Sequence, residues 1–263
     1  MKKLNLLSIS ILSLLSQPTI AVNNTATGEN KVYIEQAGNT NTITIQQVGG
    51  TNNVGGNNGT PSVSAADHVT TYTPDAPSAS NYAYISGSTN ILNINQLGNN
   101  NWAQYNIKGN NNSYTSTITG NNNQTKLKLG DTNTNNLRNI IAETFTGNNN
   151  LSIQTLLGND INSTLTATGN DNQITQDLKS TNGISNISIT GDNNILFTEQ
   201  VDVAGAIGHN LKEVIVGSYN SISTQQQGTN DTAIDIKTTG DHNTITVRTS
   251  STTIVNSQTA IAR

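Results

Sequence analysis

Apolar and polar residues alternate with a period of two over most of residues 30–250, in short runs separated by turns rich in Gly and Asn. Such alternation marks a strand with one buried face. The turns recur at fixed intervals. Gly87, Gly98, Gly109 and Gly120 stand 11 residues apart, as do Gly147, Gly158 and Gly169. Ser180 fills the next slot, Gly191 follows, and Gly217 and Gly228 form a further pair. An early copy runs from Gly38 to Gly49. With each Gly as position zero, positions +3, +5, +7 and +9 point inward. In one copy these are Asn41, Ile43, Ile45 and Gln47; in another Asn90, Leu92, Ile94 and Gln96; in another Asn172, Ile174, Gln176 and Leu178. The outward set is mostly Thr, Ser, Gln, Asn and Lys. Gly and Asn tolerate positive φ and reverse a chain tightly.

Two strands and two turns make 22 residues, one flattened coil. The pattern therefore predicts an all-β protein, a β-solenoid of stacked 22-residue strand-turn-strand-turn coils with cross-β, amyloid-like pairing at about 4.8 Å per coil. Residues 22 apart share a column. Asn101 and Asn123 share one, Asn90 and Asn112 another on the opposite strand, and Gln154, Gln176 and Thr198 a third. Identical amides in register hydrogen-bond along the stack, which removes a cost of about 1–3 kcal/mol per buried unpaired group. Asn150, Asn194, Asn220 and Asn243 occupy the same +3 offset, and Gln200 the +9 offset.

The repeat is interrupted. Residues 55–82 hold Pro61, Pro74 and Pro77 and little alternation, and read as an insertion or linker between an early coil (22–54) and the main stack (83–250). Placing a slot at Asn136 restores the phase after Gly130, with Asp131 to Asn135 as a longer turn and Asn139, Ile141, Glu143 and Phe145 inward. Another break runs from Val201 to Gly208, after which Leu211, Glu213 and Ile215 fall inward. Glu143 and Glu213 are uncomfortable there; each is expected half exposed at a longer corner, or else the phase shifts. Residues 251–263 read as a last strand and tail. At the other end, Met1-Lys2-Lys3, an apolar run from Leu4 to Leu15 and a small residue at Ala21 read as a signal peptide over 1–21. The run is too short for a transmembrane helix, and no other segment could span a membrane.

Composition sharpens the picture. Hydrophobic residues are 32% of the chain and charged residues 11%, both low for a globular domain, so order must come from regular polar pairing. The net charge of -4 argues against binding nucleic acid. There is no Cys, so thiolate chemistry and disulfides are absent. His68, His209 and His242 share no metal-ligand spacing, and His209 and His242 read as solvated turn residues. With no motif around a nucleophile, the expectation is a protein that is not an enzyme and takes no cofactor. Calcium turns of the β-roll type are likewise not indicated.

Three stretches resemble the curlin repeat of bacterial curli fibre subunits, Gln-x-Gly-x-x-Asn-x-Ala-x-x-x-Gln. Gln36-Ala37-Gly38-Asn39-Thr40-Asn41-Thr42-Ile43 followed by Gln47 fits with Ile for Ala. Gln96-Leu97-Gly98-Asn99-Asn100-Asn101-Trp102-Ala103 fits until Ile107 replaces the last Gln. Gln226-Gln227-Gly228-Thr229-Asn230-Asp231-Thr232-Ala233 carries Asp for Asn. The chain departs from the pattern in its length, in Ile or Leu at many Gln positions and in its insertion. The resemblance implies a major or nucleating subunit of a secreted functional amyloid in a bacterial biofilm. Its partners would be further copies, other curlin-like subunits, and a curli-type outer-membrane secretion pore with its accessory factors. Turn acids (Asp131, Asp160, Asp171, Asp192, Asp241) suit gatekeeping against premature stacking.

Two other function classes fit parts of the pattern. A monomeric β-solenoid adhesin is one, with Trp102 and Phe197 projecting outward as a binding patch. Ice binding is the other, since Thr42-x-Thr44, Thr115-x-Thr117, Thr164-x-Thr166 and Thr244-x-Thr246 point outward. An ice face needs such pairs on every coil of one column, and Gln124-Lys126-Lys128 and Ile195-Phe197-Glu199 interrupt them along the chain.

Overall fold

The computed structural model describes residues 8–11, 19–25, 30–55, 62–63, 70–71, 83–130, 136–202, 208–228, 233–248 and 256–261. Every regular element in it is a strand. At the N-terminal end lie β1 (Ser8–Ile11), β2 (Thr19–Thr25), β3 (Lys31–Ala37), β4 (Thr42–Val48) and β5 (Asn53–Val54). The insertion contributes β6 (Ser62–Val63) and β7 (Thr70–Thr71), an antiparallel pair. The main stack begins with β8 (Ala83–Ser86), β9 (Ile91–Leu97), β10 (Trp102–Lys108), β11 (Ser113–Thr119) and β12 (Gln124–Leu129). It continues through β13 (Ile140–Thr146), β14 (Leu151–Leu157), β15 (Asn162–Thr168), β16 (Gln173–Lys179) and β17 (Ile184–Thr190). It closes with β18 (Ile195–Asp202), β19 (Asn210–Val216), β20 (Ser221–Gly228), β21 (Ala233–Thr239), β22 (Thr244–Arg248) and β23 (Asn256–Ile261).

The strands sort into two parallel sheets that face one another across a thin core, giving a β-solenoid of about eight turns. One sheet holds β1, β3, the pair β5 and β8, then the even-numbered strands β10 to β22. The other runs β2, β4, β9, then the odd-numbered strands β11 to β23. We call them the first and second sheet. Successive strands in the chain therefore lie in opposite sheets, and each pairs with the strand one coil away. The 22-residue step is seen in Thr125, which pairs with Ala103, and in Ile174, which pairs with Ser152.

Alternation fixes the faces. In β15 every second residue is buried, with Ser163, Leu165 and Ala167 inward and Asn162, Thr164 and Thr168 exposed. The core is a file of Ile, Leu, Val and Ala, with Tyr105 and Tyr114 tilted against each other at 4.8 Å. The Asn136 slot restores the phase: Asn139, Ile141, Glu143 and Phe145 are all buried. Asp131 to Asn135 lie outside the described residues. So do 203–207, but Leu211, Glu213 and Ile215 are buried beyond them.

The coils on either side of the insertion stack directly, because β4 pairs with β9 over seven residues. The insertion leaves from the middle of a strand. Val54 pairs with Ala103, and Tyr84 pairs with Asn106, so β5 and β8 are two halves of one strand. Beyond β6 and β7, the insertion from 56 to 82 lies outside the described residues, with His68 and its three prolines. At the N-terminal end, β2 contains Ala21, the expected cleavage position, and pairs with β4.

Candidate functional site

The features of this molecule with functional geometry are its ladders of buried amides and the two ends of the stack. The turn explains how they arise. Gly98 has φ near +117° and Asn100 near +55°, so two residues of the turn are left-handed wherever Gly opens it, and one, Arg138 or Asn182, where Asn136 or Ser180 does. Stacking adds a second demand: a Cβ on Gly98 would fall onto the carbonyl oxygen of Gly120, and one on Gly38 onto that of Gly87. The Gly is thus required by its neighbour in the next coil as well as by its own backbone.

The side chain at +3 then turns inward. In the first sheet Asn30, Asn52, Asn101, Asn123, Asn150, Asn172, Asn194, Asn220 and Asn243 form one ladder. From Asn101 to Asn194, each Oδ1 accepts the backbone N–H of the next Asn at 2.9–3.0 Å and its Nδ2 at 3.0–3.1 Å. Each Nδ2 also donates to the turn carbonyl one coil on, as Asn101 does to Gly120 at 2.7 Å and Asn172 to Gly191 at 2.9 Å. An interior amide thus uses both lone pairs and both N–H bonds, the full capacity of the group. The second sheet has a shorter ladder, Asn41, Asn90, Asn112 and Asn139, closed by the backbone N–H of Ile161. Beyond it the slot holds Ile161 and Gly183.

The Gln positions behave differently. Gln47 donates to Gln96 Oε1 at 2.9 Å along the stack. Gln154 and Gln176 do pair in register, yet their amides reach across the core. Gln154 donates to Glu143 at 2.6 Å, and Gln176 donates to Ser185 at 2.7 Å and accepts from Ser163. A column of mixed residues thus does not form the expected axial amide bonds. Gln36 is buried beside Ile85, and Gln200 is stacked in register with Gln226. Gly228 closes β20, and Asp231 in the third curlin-like stretch lies outside the described residues.

Several expectations are corrected. Glu143 and Glu213 are fully buried rather than half exposed, and the phase holds at both. Glu143 Oε2 accepts from Tyr114 Oη at 3.2 Å and from Gln154; Glu213 Oε1 accepts from Thr198 at 3.0 Å. Burial pushes both carboxyls up to about 7, against the opposing pull of these hydrogen bonds. Burial also raises the Tyr114 phenol well above its ordinary range, with the Glu143 charge adding to it. His209 is buried in the +3 slot of the second sheet, 3.4 Å from Gln226, because the phase after residue 207 places it where an Asn would sit. His242 does lie in a turn, with positive φ, stacked on Tyr219. Trp102 is buried rather than projecting, its indole N–H donating to the carbonyl of Gly55 where the insertion departs.

A further ladder had no place in the sequence reading. The +1 residue of each turn also stacks: Asn99 donates to Asn121, Asn121 to Asn148, Asn148 to Asn170 and Asn170 to Asp192, at 3.1–3.2 Å. Asp192 and Asp241 also accept backbone N–H groups of the preceding coil, so these turn acids are structural acceptors. The Gly-Asn dipeptide was the available signal, and it was absorbed by turn chemistry alone. Compared with known proteins, the chain matches no family model, no curated protein and no solved structure.

Proposed function

We propose that this chain is a structural subunit that adds end to end into an extracellular, curli-like amyloid fibre, by templating of one coil on the next, in biofilm formation and surface adhesion. The observation that carries the reading is the state of the ladder at the C-terminal end. Inside the stack, each Nδ2 reaches a Gly carbonyl of the next coil. Among the described residues no further coil caps Asn243, and its Nδ2 turns back to Thr239 O at 3.4 Å. Among the described residues, strands β22 and β23 likewise have a partner on one side only. An unpaired parallel edge with amides in register is a template for another chain. The curlin-like spacing of Gln36 to Gln47 and Gln96 to Ala103 supports the same reading and its implied partners, the secretion pore and fellow subunits.

No catalytic group, cofactor or nucleic acid enters this mechanism. A time course of thioflavin fluorescence on the purified chain, with imaging and fibre diffraction, tests it. The expected outcome is fibres that seed fresh monomer and show a spacing of about 4.8 Å along the axis. A strand-rich chain that stays monomeric at every concentration, seeded or not, would instead favour a surface adhesin.

A further inference from the structure

The structure places the strands that seemed to interrupt the Thr pairs in one sheet and three of the four pairs in the other: Thr42-x-Thr44, Thr115-x-Thr117 and Thr164-x-Thr166 lie in β4, β11 and β15 of the second sheet, while Thr244-x-Thr246 lies in β22 of the first. Gln124-Lys126-Lys128 and Ile195-Phe197-Glu199 belong to β12 and β18, in the first sheet. The outer face of the second sheet is left with an ordered grid. In β11 the outward residues are Ser113, Thr115, Thr117 and Thr119; in β13, Ile140, Ala142, Thr144 and Thr146; in β15, Asn162, Thr164, Thr166 and Thr168; in β17, Ile184, Asn186, Ser188 and Thr190. The columns are in unbroken register. Thr117, Thr144, Thr166 and Ser188 form one, and Thr119, Thr146, Thr168 and Thr190 its neighbour. Every one of these four coils carries a hydroxyl pair, Thr-x-Thr or Ser-x-Thr, on the same two columns. All four residues of the outer column are exposed, as are Thr115, Thr144 and Thr164.

Three properties of the face select a ligand class. It is periodic in two directions, with about 4.8 Å between coils and about 6.7 Å between alternate residues along a strand. It carries no charge from β4 through β17, whereas the first sheet presents Lys126, Lys128, Asp177, Lys179 and Glu199 outward. It also lacks outward aromatic rings over the same strands. A charged partner has nothing to pair with there, and a crystalline sugar surface finds no ring to stack on. A neutral lattice of hydroxyls and methyls remains, bordered by the exposed Ile140 and Ile184 in the first outward column. β-branched Thr holds few χ1 rotamers, so its hydroxyls and methyls stand in fixed positions and can hold water in a matching array.

We infer that the Thr grid on the second sheet binds the ordered water of an ice surface. The inference is independent of fibre formation, because the grid lies on the side of the stack and is present in one chain or many.

The test is ice-recrystallisation inhibition and crystal shaping by the purified chain. Thr144→Lys/Thr166→Lys breaks the grid with charge. Thr146→Tyr breaks its flatness with a residue that favours strands, and serves if the lysines prevent folding. Thr155→Lys, outward on β14 in the first sheet, is the control. Circular dichroism checks the fold of each, and light scattering follows side-by-side association. Inhibition by the parent chain and the control, lost in the grid variants, is the expected result. A folded parent chain without effect on ice, or grid variants as active as the parent, would overturn the proposal. So would grid variants that change only association, since the face would then be a contact between copies.

Discussion

At the residue scale, the two buried carboxylates give the molecule a pH dependence whose sign follows from their surroundings. Glu143 and Glu213 have folded-state pKa values raised from about 4.5 to about 7, burial being the largest cause. The folded state therefore holds protons that the unfolded state has released between these two values. The stability they contribute is full below about pH 4.5 and is lost as pH rises through 7. Each group contributes a slope of up to about 1.4 kcal/mol per pH unit in that window. Thermal unfolding of the soluble chain should show Tm falling from pH 5 to pH 8. Glu143→Gln/Glu213→Gln should flatten the fall and raise Tm at pH 8, since a neutral amide keeps the shape without the buried charge. A double variant with the parent's pH profile would mean that other groups set the dependence.

At the element scale, much of the architecture was legible and the reasons for the exceptions are specific. The alternation gave the inward set because a strand has only two faces, and the Asn136 slot placed Ile141 and Phe145 correctly. Which sheet each strand joins was also present in the 11-residue spacing, since alternate turns place alternate strands on opposite sides. The Thr grid is not visible along the chain, because its columns join every second strand. Burial of Trp102 was not legible, because its partner is the carbonyl of Gly55 at the root of the insertion. His209 lies two residues before Leu211 and shares its inward phase, so its burial follows from the inward set, and only its place beside the turn suggests solvent. The split strand yields a sharp prediction. Val54 faces Ala103 and Tyr84 faces Asn106, so one position remains between Val54 and Ala83, opposite Gln104. Deleting residues 56–82 leaves Gly55 to fill it and keep Trp102's acceptor. The deletion variant should keep the parent's circular dichroism and unfold cooperatively within a few degrees of it. Loss of strand signal would show that the insertion is needed for the early coil to stack.

At the scale of the whole molecule, a solenoid joined only through neighbouring coils separates stability from growth. An interior ladder residue such as Asn172 is bonded on both sides, so replacing it orphans the groups above and below, at about 1–3 kcal/mol for each one left buried and unpaired. Asn243 is bonded on one side, through its backbone N–H to Asn220 Oδ1 at 2.8 Å, and that bond survives loss of the side chain. Asn243→Leu should therefore leave the Tm of the isolated chain nearly unchanged while slowing elongation from preformed seeds, because the incoming coil meets an apolar group where the ladder offers an amide. Asn172→Leu should do the reverse, lowering Tm by several degrees with its effect on elongation confined to the loss of folded chain. The two are compared by calorimetry on monomer and by seeded growth at equal folded concentration. If Asn243→Leu elongates at the parent's rate, the C-terminal end is not where new chains dock, and growth must proceed from the N-terminal end of the stack.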